Sequence, residues 1–282
     1  MASLLVVANL NCDRVIKLDS ALTNGGRHRF QQSARRLGGG AANTGIGLVW
    51  AGHQVQLVCQ LGNDQASDWA LQQAGEYGLE FHQITRHSDA GGELLLLLDP
   101  SGERTIVRPV VAPYKLGDAP NFEHFQAVYF NSQASNQAQW AQLALSKTTV
   151  VGQYNAQQSQ LPCHYLVASK SDMNLAPQHD HWAFAKQYAG ESLQALVLTD
   201  GCKGATLYTE TTQHHCQAID CEVVDTTGAG DTFAAGFIHS LIAQQPLPQA
   251  LEIACEWAQC ALKTASSIPG EALQTYLTSS QS

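Results

Sequence analysis

The stretch Asp225-Thr226-Thr227-Gly228-Ala229-Gly230-Asp231-Thr232-Phe233 decides how this chain is read. It joins an expected strand ending near Val224 to a helix expected to begin near Gly230. Ala234, Phe237, Ile238, Leu241 and Ile242 recur at helical spacing and give that helix a stripe to bury. The small residues ahead of it permit a tight turn that leaves backbone N–H groups unpaired, and these amides and the helix dipole point the same way. Such a turn can hold an anion. Asp231 breaks the pattern, because a carboxylate at the rim of an anion site repels a phosphate. It has two readings: an ordinary first-turn cap, or a base that takes a proton from the group attacking that phosphate.

Outward from this stretch the chain has a β-α-β rhythm. Leu4 to Asn9 reads as a core strand of a parallel sheet, and Asp13 follows where a carboxylate could accept hydrogen bonds from ligand hydroxyls or cap a loop. Val15 to Gln32 alternates in a way that suits two strands. Gly38 to Gly45 then enters a helix; its glycines let backbone approach a ligand, and Asn43 offers both a donor and an acceptor. The run has no Gly-Lys-Ser or Gly-Lys-Thr ending and lacks the dinucleotide glycine spacing, so neither familiar phosphate loop is present there. Val55 to Gly62, Phe81 to Thr85, Ala127 to Phe130, Thr149 to Gly152, Tyr165 to Ala168 and Leu193 to Thr199 read as further core strands. Helices are expected over Ala66 to Tyr77, Ala138 to Leu145, His181 to Tyr188 and Ala250 to Ala265. Glu93 to Asp99 and Arg104 to Val107 interrupt the rhythm and, with Val15 to Gln32, could form a small separate sheet serving as a lid. Leu94, Leu96 and Leu98 fall on alternate positions and could share its inner face. The turn Thr199-Asp200-Gly201-Cys202-Lys203-Gly204 places polar and glycine residues where open α/β sheets bind ligands, and a hairpin follows through Ala205 to Tyr208.

The 282 residues suffice for one large α/β core with an appendage, and 44% hydrophobic residues with 23 glycines read as globular. A net charge of −9 without a long basic run gives no nucleic-acid footprint. No apolar stretch reaches membrane-spanning length, and the amino terminus lacks a basic secretory leader, so no membrane association and a cytoplasmic location are expected. Eight dispersed cysteines then read as free thiols. His214-His215-Cys216 with Cys221 lacks a convincing second ligand pair for zinc and reads as a loop or edge strand.

Gly38 to Asn43, Thr199 to Gly204 and above all Asp225 to Asp231, in this order over essentially the whole chain, resemble the ribokinase-like (PfkB) carbohydrate kinases. The resemblance implies a three-layer α/β/α sandwich with a small β-sheet lid. The core would be residues 1–12, 33–90 and 110–282, and the lid 13–32 and 91–109. It further implies ATP-dependent phosphorylation of a hydroxyl on a small sugar or related polyol, with Mg²⁺ bridging phosphate oxygens and a homodimer formed through the lid. By the resemblance Asp231 is the catalytic base, with Gly228, Ala229 and Gly230 as the backbone anion hole. Asp13, Gly39, Gly40 and Asn43 are acceptor ligands. Arg104 could enter the site from the lid and favour an acidic sugar, or be an exposed turn arginine. Thr199, Gly201, Gly204 and Ser169 belong to the ATP site, Asp172 is a metal ligand, and Asp225 matches a position associated with a monovalent cation, often K⁺. Two departures matter. Ser169-Lys170-Ser171-Asp172 replaces the Asn-x-x-Glu of relatives, shortening the polar reach and adding a positive charge. Gly40 stands where sugar-phosphate kinases of the family often carry Lys, which implies an unphosphorylated acceptor. A nucleoside kinase of the same fold, or a non-catalytic small-molecule-binding relative, are the alternatives.

Overall fold

The computed structural model describes residues 1–87, 92–101, 104–110, 114–173 and 180–279, except the side chains of Gln31 and Arg104. Its centre is a nine-stranded sheet. The strands, in chain order, are β1 Ser3–Ala8, β4 Gln54–Gly62, β5 Glu80–His87, β8 Ala127–Asn131, β9 Thr149–Gln153, β10 Tyr165–Ser169, β11 Ala195–Thr199, β12 Ala205–Tyr208 and β13 Gln213–Cys216. Their spatial order is β13-β12-β11-β10-β9-β8-β1-β4-β5. Every pairing from β5 across to β11 is parallel, and the final hairpin, β12 and β13, is antiparallel. The His214-His215-Cys216 run therefore forms the sheet's edge strand.

Helices cover both faces, which is why the central strands are apolar on both sides. Val6, Leu57, Tyr129, Val167 and Val197 share one core with α1 (Gly40–Trp50), α2 (Gln65–Glu76), α6 (Ala229–Ile242), α7 (Leu247–Leu262) and α8 (Glu271–Ser279). Leu5, Val7, Val58, Val128, Phe130 and Leu166 face the opposite way, against α3 (Gln137–Ala144) and α5 (His181–Ala189). The short helix α4 (Lys170–Met173) closes the end of β10. Helix α6 is buried from Thr232 to Ile238 because it runs between α1 and α7, so its buried surface is wider than the stripe its sequence suggests.

A second sheet has the order β3-β2-β6-β7, built from β2 Asn11–Leu18, β3 Phe30–Gly38, β6 Leu94–Leu98 and β7 Arg104–Val107. β2 pairs antiparallel with β3 and parallel with β6. The second strand of the pair expected over residues 15–32 thus runs six residues later, through Arg35 and Arg36 directly into the glycine turn before α1. One expectation is overturned nearby: no strand ends at Val224. Residues 217–224 have no regular structure; Val223 and Val224 are exposed, and the Val224 N–H donates to the Leu262 carbonyl at the end of α7 at 2.8 Å. Without a neighbouring strand to pair with, two β-branched residues do not make one.

No helix among the described residues is long and apolar enough to cross a membrane.

Candidate active site

In the parallel sheet the chain steps from β1 to β4 and β5 on one side, then returns to place β8 on β1's other side. The winding reverses between β1 and β8, so a crevice opens at their carboxyl ends, as in other open α/β sheets. Asn9 follows β1 and Asn131 ends β8. Gly39 (φ 86°) precedes α1, and a Cβ there would strike the Asn9 carbonyl; Gly228 (φ 79°) precedes α6, and a Cβ there would strike the Ser267 carbonyl. Only glycine fits either place, and both helix starts are thereby brought to the crevice.

Asp231 lies in the first turn of α6. The Asn43 side chain donates from Nδ2 to its Oδ2 at 2.7 Å, the Asn131 Nδ2 approaches its Oδ1 at 3.5 Å, and the Thr44 hydroxyl donates to its backbone carbonyl at 3.1 Å. Burial raises the Asp231 pKa, and the Asn43 hydrogen bond opposes that rise. A carboxylate so held is fixed in direction and better matched to exchanging a proton near neutral pH.

Two cavities meet at this carboxylate. The first, about 280 Å³, lies under the small sheet and is lined by Asn11, Asp13, Gly39, Gly40, Asn43 and Leu96 among others. Asp13 is buried, one of its oxygens has no partner among the described residues, and burial raises its pKa to about 6 against the lowering effects of Arg108 and Arg36. The buried Oδ1 of Asn43 is likewise unpartnered. Unpaired buried acceptors are costly, and two in one cavity await donors. The second cavity, about 560 Å³, runs from Gly228, Gly230 and Asp231 past Asn131 and Gln153 to Ser169, Asp172 and Thr199. Asn9, Arg108, Asn131, Gly228 and Asp231 border both.

The family model described as pfkB family carbohydrate kinase matches residues 1–272. The chain belongs to this family. It is 24% identical over 267 residues to the "ATP-dependent ribose-1-phosphate kinase" of Halopiger xanaduensis, covering 90% of each chain. To the "Aminoimidazole riboside kinase" of Salmonella typhimurium it is 24% identical over 234 residues, covering 72% of this chain and 73% of that protein. Among solved structures, Arabidopsis thaliana ribokinase complexed with ribose and ATP superposes with a TM-score of 0.80 at 18% identity over 98% of both chains. The fold is thus the ribokinase-like α/β sandwich with its smaller β-sheet.

Within this pfkB chain the residues expected from sequence divide into three groups. Asp13, Gly39, Gly40, Asn43, Gly228 and Asp231 gather around the first cavity; Ser169, Asp172, Thr199, Gly228 and Gly230 border the second. Ala229 is the first residue of α6. Gly201 and Gly204 shape the turn between β11 and β12 and do not line either cavity. Asp225 faces neither: its Oδ1 accepts from the Thr227 N–H at 2.9 Å and hydroxyl at 2.7 Å, and its Oδ2 pairs with Arg36 at 3.2 Å. Burial opposes its charge, yet these partners hold its pKa below the usual carboxylate value. Arg104 starts β7 opposite Leu98, and its side chain lies outside the described residues. The arginine that lines both cavities is Arg108, just beyond β7. Sequence reasoning also missed Asn9, Asn11 and Asn131; the position of Asn9 and Asn131 at strand ends flanking the winding reversal was the available signal.

Proposed function

We propose that this protein transfers the γ-phosphoryl group of ATP to a hydroxyl of a small, unphosphorylated sugar-like acceptor, a sugar or a nucleoside, with Asp231 as general base. One observation carries the reading: a desolvated carboxylate, aimed by Asn43, stands where an amide-rich helix start joins two cavities. The acceptor rests in the smaller one, where Asp13 and the Asn43 oxygen receive hydrogen bonds from its other hydroxyls. Asp231 takes the proton of the attacking hydroxyl as its oxygen bonds to the γ-phosphorus. The bond from that phosphorus to the bridging oxygen breaks, and ADP leaves. The backbone N–H groups at the start of α6 offset charge on the transferring group.

The donors along the larger cavity fit a nucleotide-bound Mg²⁺, because that ion takes one or two carboxylates, keeps waters and binds phosphate oxygens. Asp172 and Ser169 would hold it, and it would neutralise charge on the phosphates. Asp225 does not fit a K⁺ role of its own, since Arg36 already compensates its charge. Gly40 supports an unphosphorylated acceptor: a Cβ there would crowd the Asn131 amide and come to 3.4 Å from the Asp231 carboxylate, so the cavity has no lysine to hold a sugar phosphate. The relative named as a ribose-1-phosphate kinase makes ribose 1-phosphate a necessary control.

The test measures ADP release from ATP and Mg²⁺ over a panel of sugars, sugar phosphates and nucleosides, with the parent and with Asp231→Asn. Acceptor-dependent release by the parent that falls about 10²–10⁴-fold in the variant is expected. Near-parental turnover of Asp231→Asn at saturating substrates overturns the assignment of the base. A folded parent that binds ATP but gives no acceptor-dependent release overturns the kinase reading.

A further inference from the structure

We infer that the acceptor is a two-unit compound: a hydroxylated unit held by Asp13 and Asn43, and an uncharged, hydrogen-bonding substituent that extends into a third cavity. The inference rests on the acceptor role proposed for the cavity beside Asp231.

The third cavity, about 440 Å³, lies at the carboxyl ends of β4 and β5, and it shares Asn9, Asn11, Leu94 and Arg108 with the acceptor cavity. At about 280 Å³ the acceptor cavity falls just below the range of ~300–1,000 Å³ usual for ligand pockets, and Asn11 borders both it and the third cavity. The chemistry of the lining limits what can enter. Gln60, Gln133, Asn155 and Gln157 present amides with both donor and acceptor capacity, while the Gln158 amide is taken up by Gln137 and Ser132, and among the described residues the lining holds no carboxylate. Its one formal cation, Arg108, stands on the border shared with the other cavities. Among the described residues an anionic or cationic substituent would find no opposite charge deeper in, whereas hydroxyls or heterocycle edges find matched groups. Leu10, Leu61 and Pro109 add apolar surface for the face of a ring.

Two further observations point to a ligand. The His87 Nδ1 is shielded from solvent and has no hydrogen-bond partner among the described residues, and His87 lines this cavity. Buried polar atoms of this kind ordinarily find a partner, and a bound substituent would supply one. The Gln60 amide, half-buried at the end of β4, also makes no side-chain hydrogen bond to another described residue. A second sugar ring and a nucleobase share the required chemistry.

The experiment uses the full chain with ribose and fructose as single-unit probes, sucrose and trehalose as two-ring probes, and adenosine and uridine as base-bearing probes. Binding is read by calorimetry and turnover by ADP release, for the parent, Gln60→Leu and His87→Ala, each checked for folding by circular dichroism. At least one two-unit probe is expected to bind about tenfold more tightly than either single-unit probe. Gln60→Leu or His87→Ala should remove that advantage and leave ribose and fructose unchanged. Disaccharides or nucleosides as the preferred set identify the substituent. Preference for single units, absence of any two-unit binder, or variants that weaken both classes alike would overturn the inference. Two-unit binding that depends on Gln60, without ADP release, would sustain the two-unit binding site while overturning the acceptor role and the kinase reading.

Discussion

The two walls of the crevice, assigned in the proposed function to acceptor and nucleotide, are built on opposite terms. On the proposed acceptor side, Asp13 and Asn43 are buried, each keeps an oxygen unpartnered among the described residues, and the backbone around them is locked by Gly39 against Asn9. On the proposed nucleotide side, groups satisfy one another: the Ser169 hydroxyl, which lines the larger cavity, meets that of Ser171 at 2.7 Å, and Lys170, next in the chain though not in the lining, pairs with Asp200 at 2.9 Å. One wall carries unmet hydrogen-bonding capacity into its ligand, and the other must exchange existing partners. Affinity and discrimination should therefore reside mainly on the acceptor side, where unmet polar groups penalise the wrong ligand. Asp231 belongs to both walls.

The comparison can be broken by substitution, beginning with the residue common to both sides. Asp231→Asn should lower kcat about 10²–10⁴-fold while acceptor and ATP affinities, followed by calorimetry, change little. Asp13→Asn should follow in size: it weakens charge-assisted hydrogen bonds to the acceptor and raises its KM by about 10–100-fold, with the KM for ATP unmoved. A matching rise in both KM values would show that the walls are not separable.

Proton concentration gives a third test. Asp13, shifted from 3.8 to about 6 by burial, accepts two sets of hydrogen bonds only when ionised, so the acceptor KM should rise about tenfold from pH 7 to pH 5. For the ligand-free protein the sign is opposite. The folded state holds this proton more tightly than the unfolded state, so Asp13 makes the protein less stable as pH rises from about 4 to 6. Stabilisation by acceptor in thermal melts should grow over the same window, and a flat profile would show that Asp13 is not the acceptor's partner.

The smallest effects are expected away from the acceptor. Lys170→Ala breaks an exposed pair, so the melting temperature should move by no more than about 2 °C, with acceptor KM unchanged. Replacing K⁺ by Na⁺ should leave turnover the same, because Arg36 already neutralises Asp225; Arg36→Gln is the variant in which a cation dependence should emerge.

Much of the architecture was legible because hydrophobic period and turn residues are local signals. Leu4 to Asn9, Val55 to Gly62 and Leu193 to Thr199 are core strands within one or two residues at each end, and the glycine turns before Gly40 and Ala229 open helices as expected. The reading failed where partners decide. Val223 and Val224 are β-branched but have no strand beside them. The arginine at the cavities is Arg108, because the path of the chain leaving β7 carries it to the crevice. Asp225 belonged to a highly specific motif, yet its partner is Arg36, 189 residues earlier in the chain.

The sequence by itself determined the parallel α/β core, the small second sheet and the two glycine turns that bring Asn43 and Asp231 to helix starts. Those features follow from backbone geometry and burial period, which neighbouring residues impose. Tertiary structure alone decided that Asn9 and Asn131 flank the reversal of winding, that Asp13 is buried with an unpaired oxygen, and that three cavities converge on Arg108. Desolvation and convergence depend on segments far apart in the chain, and no local pattern encodes the distance between them.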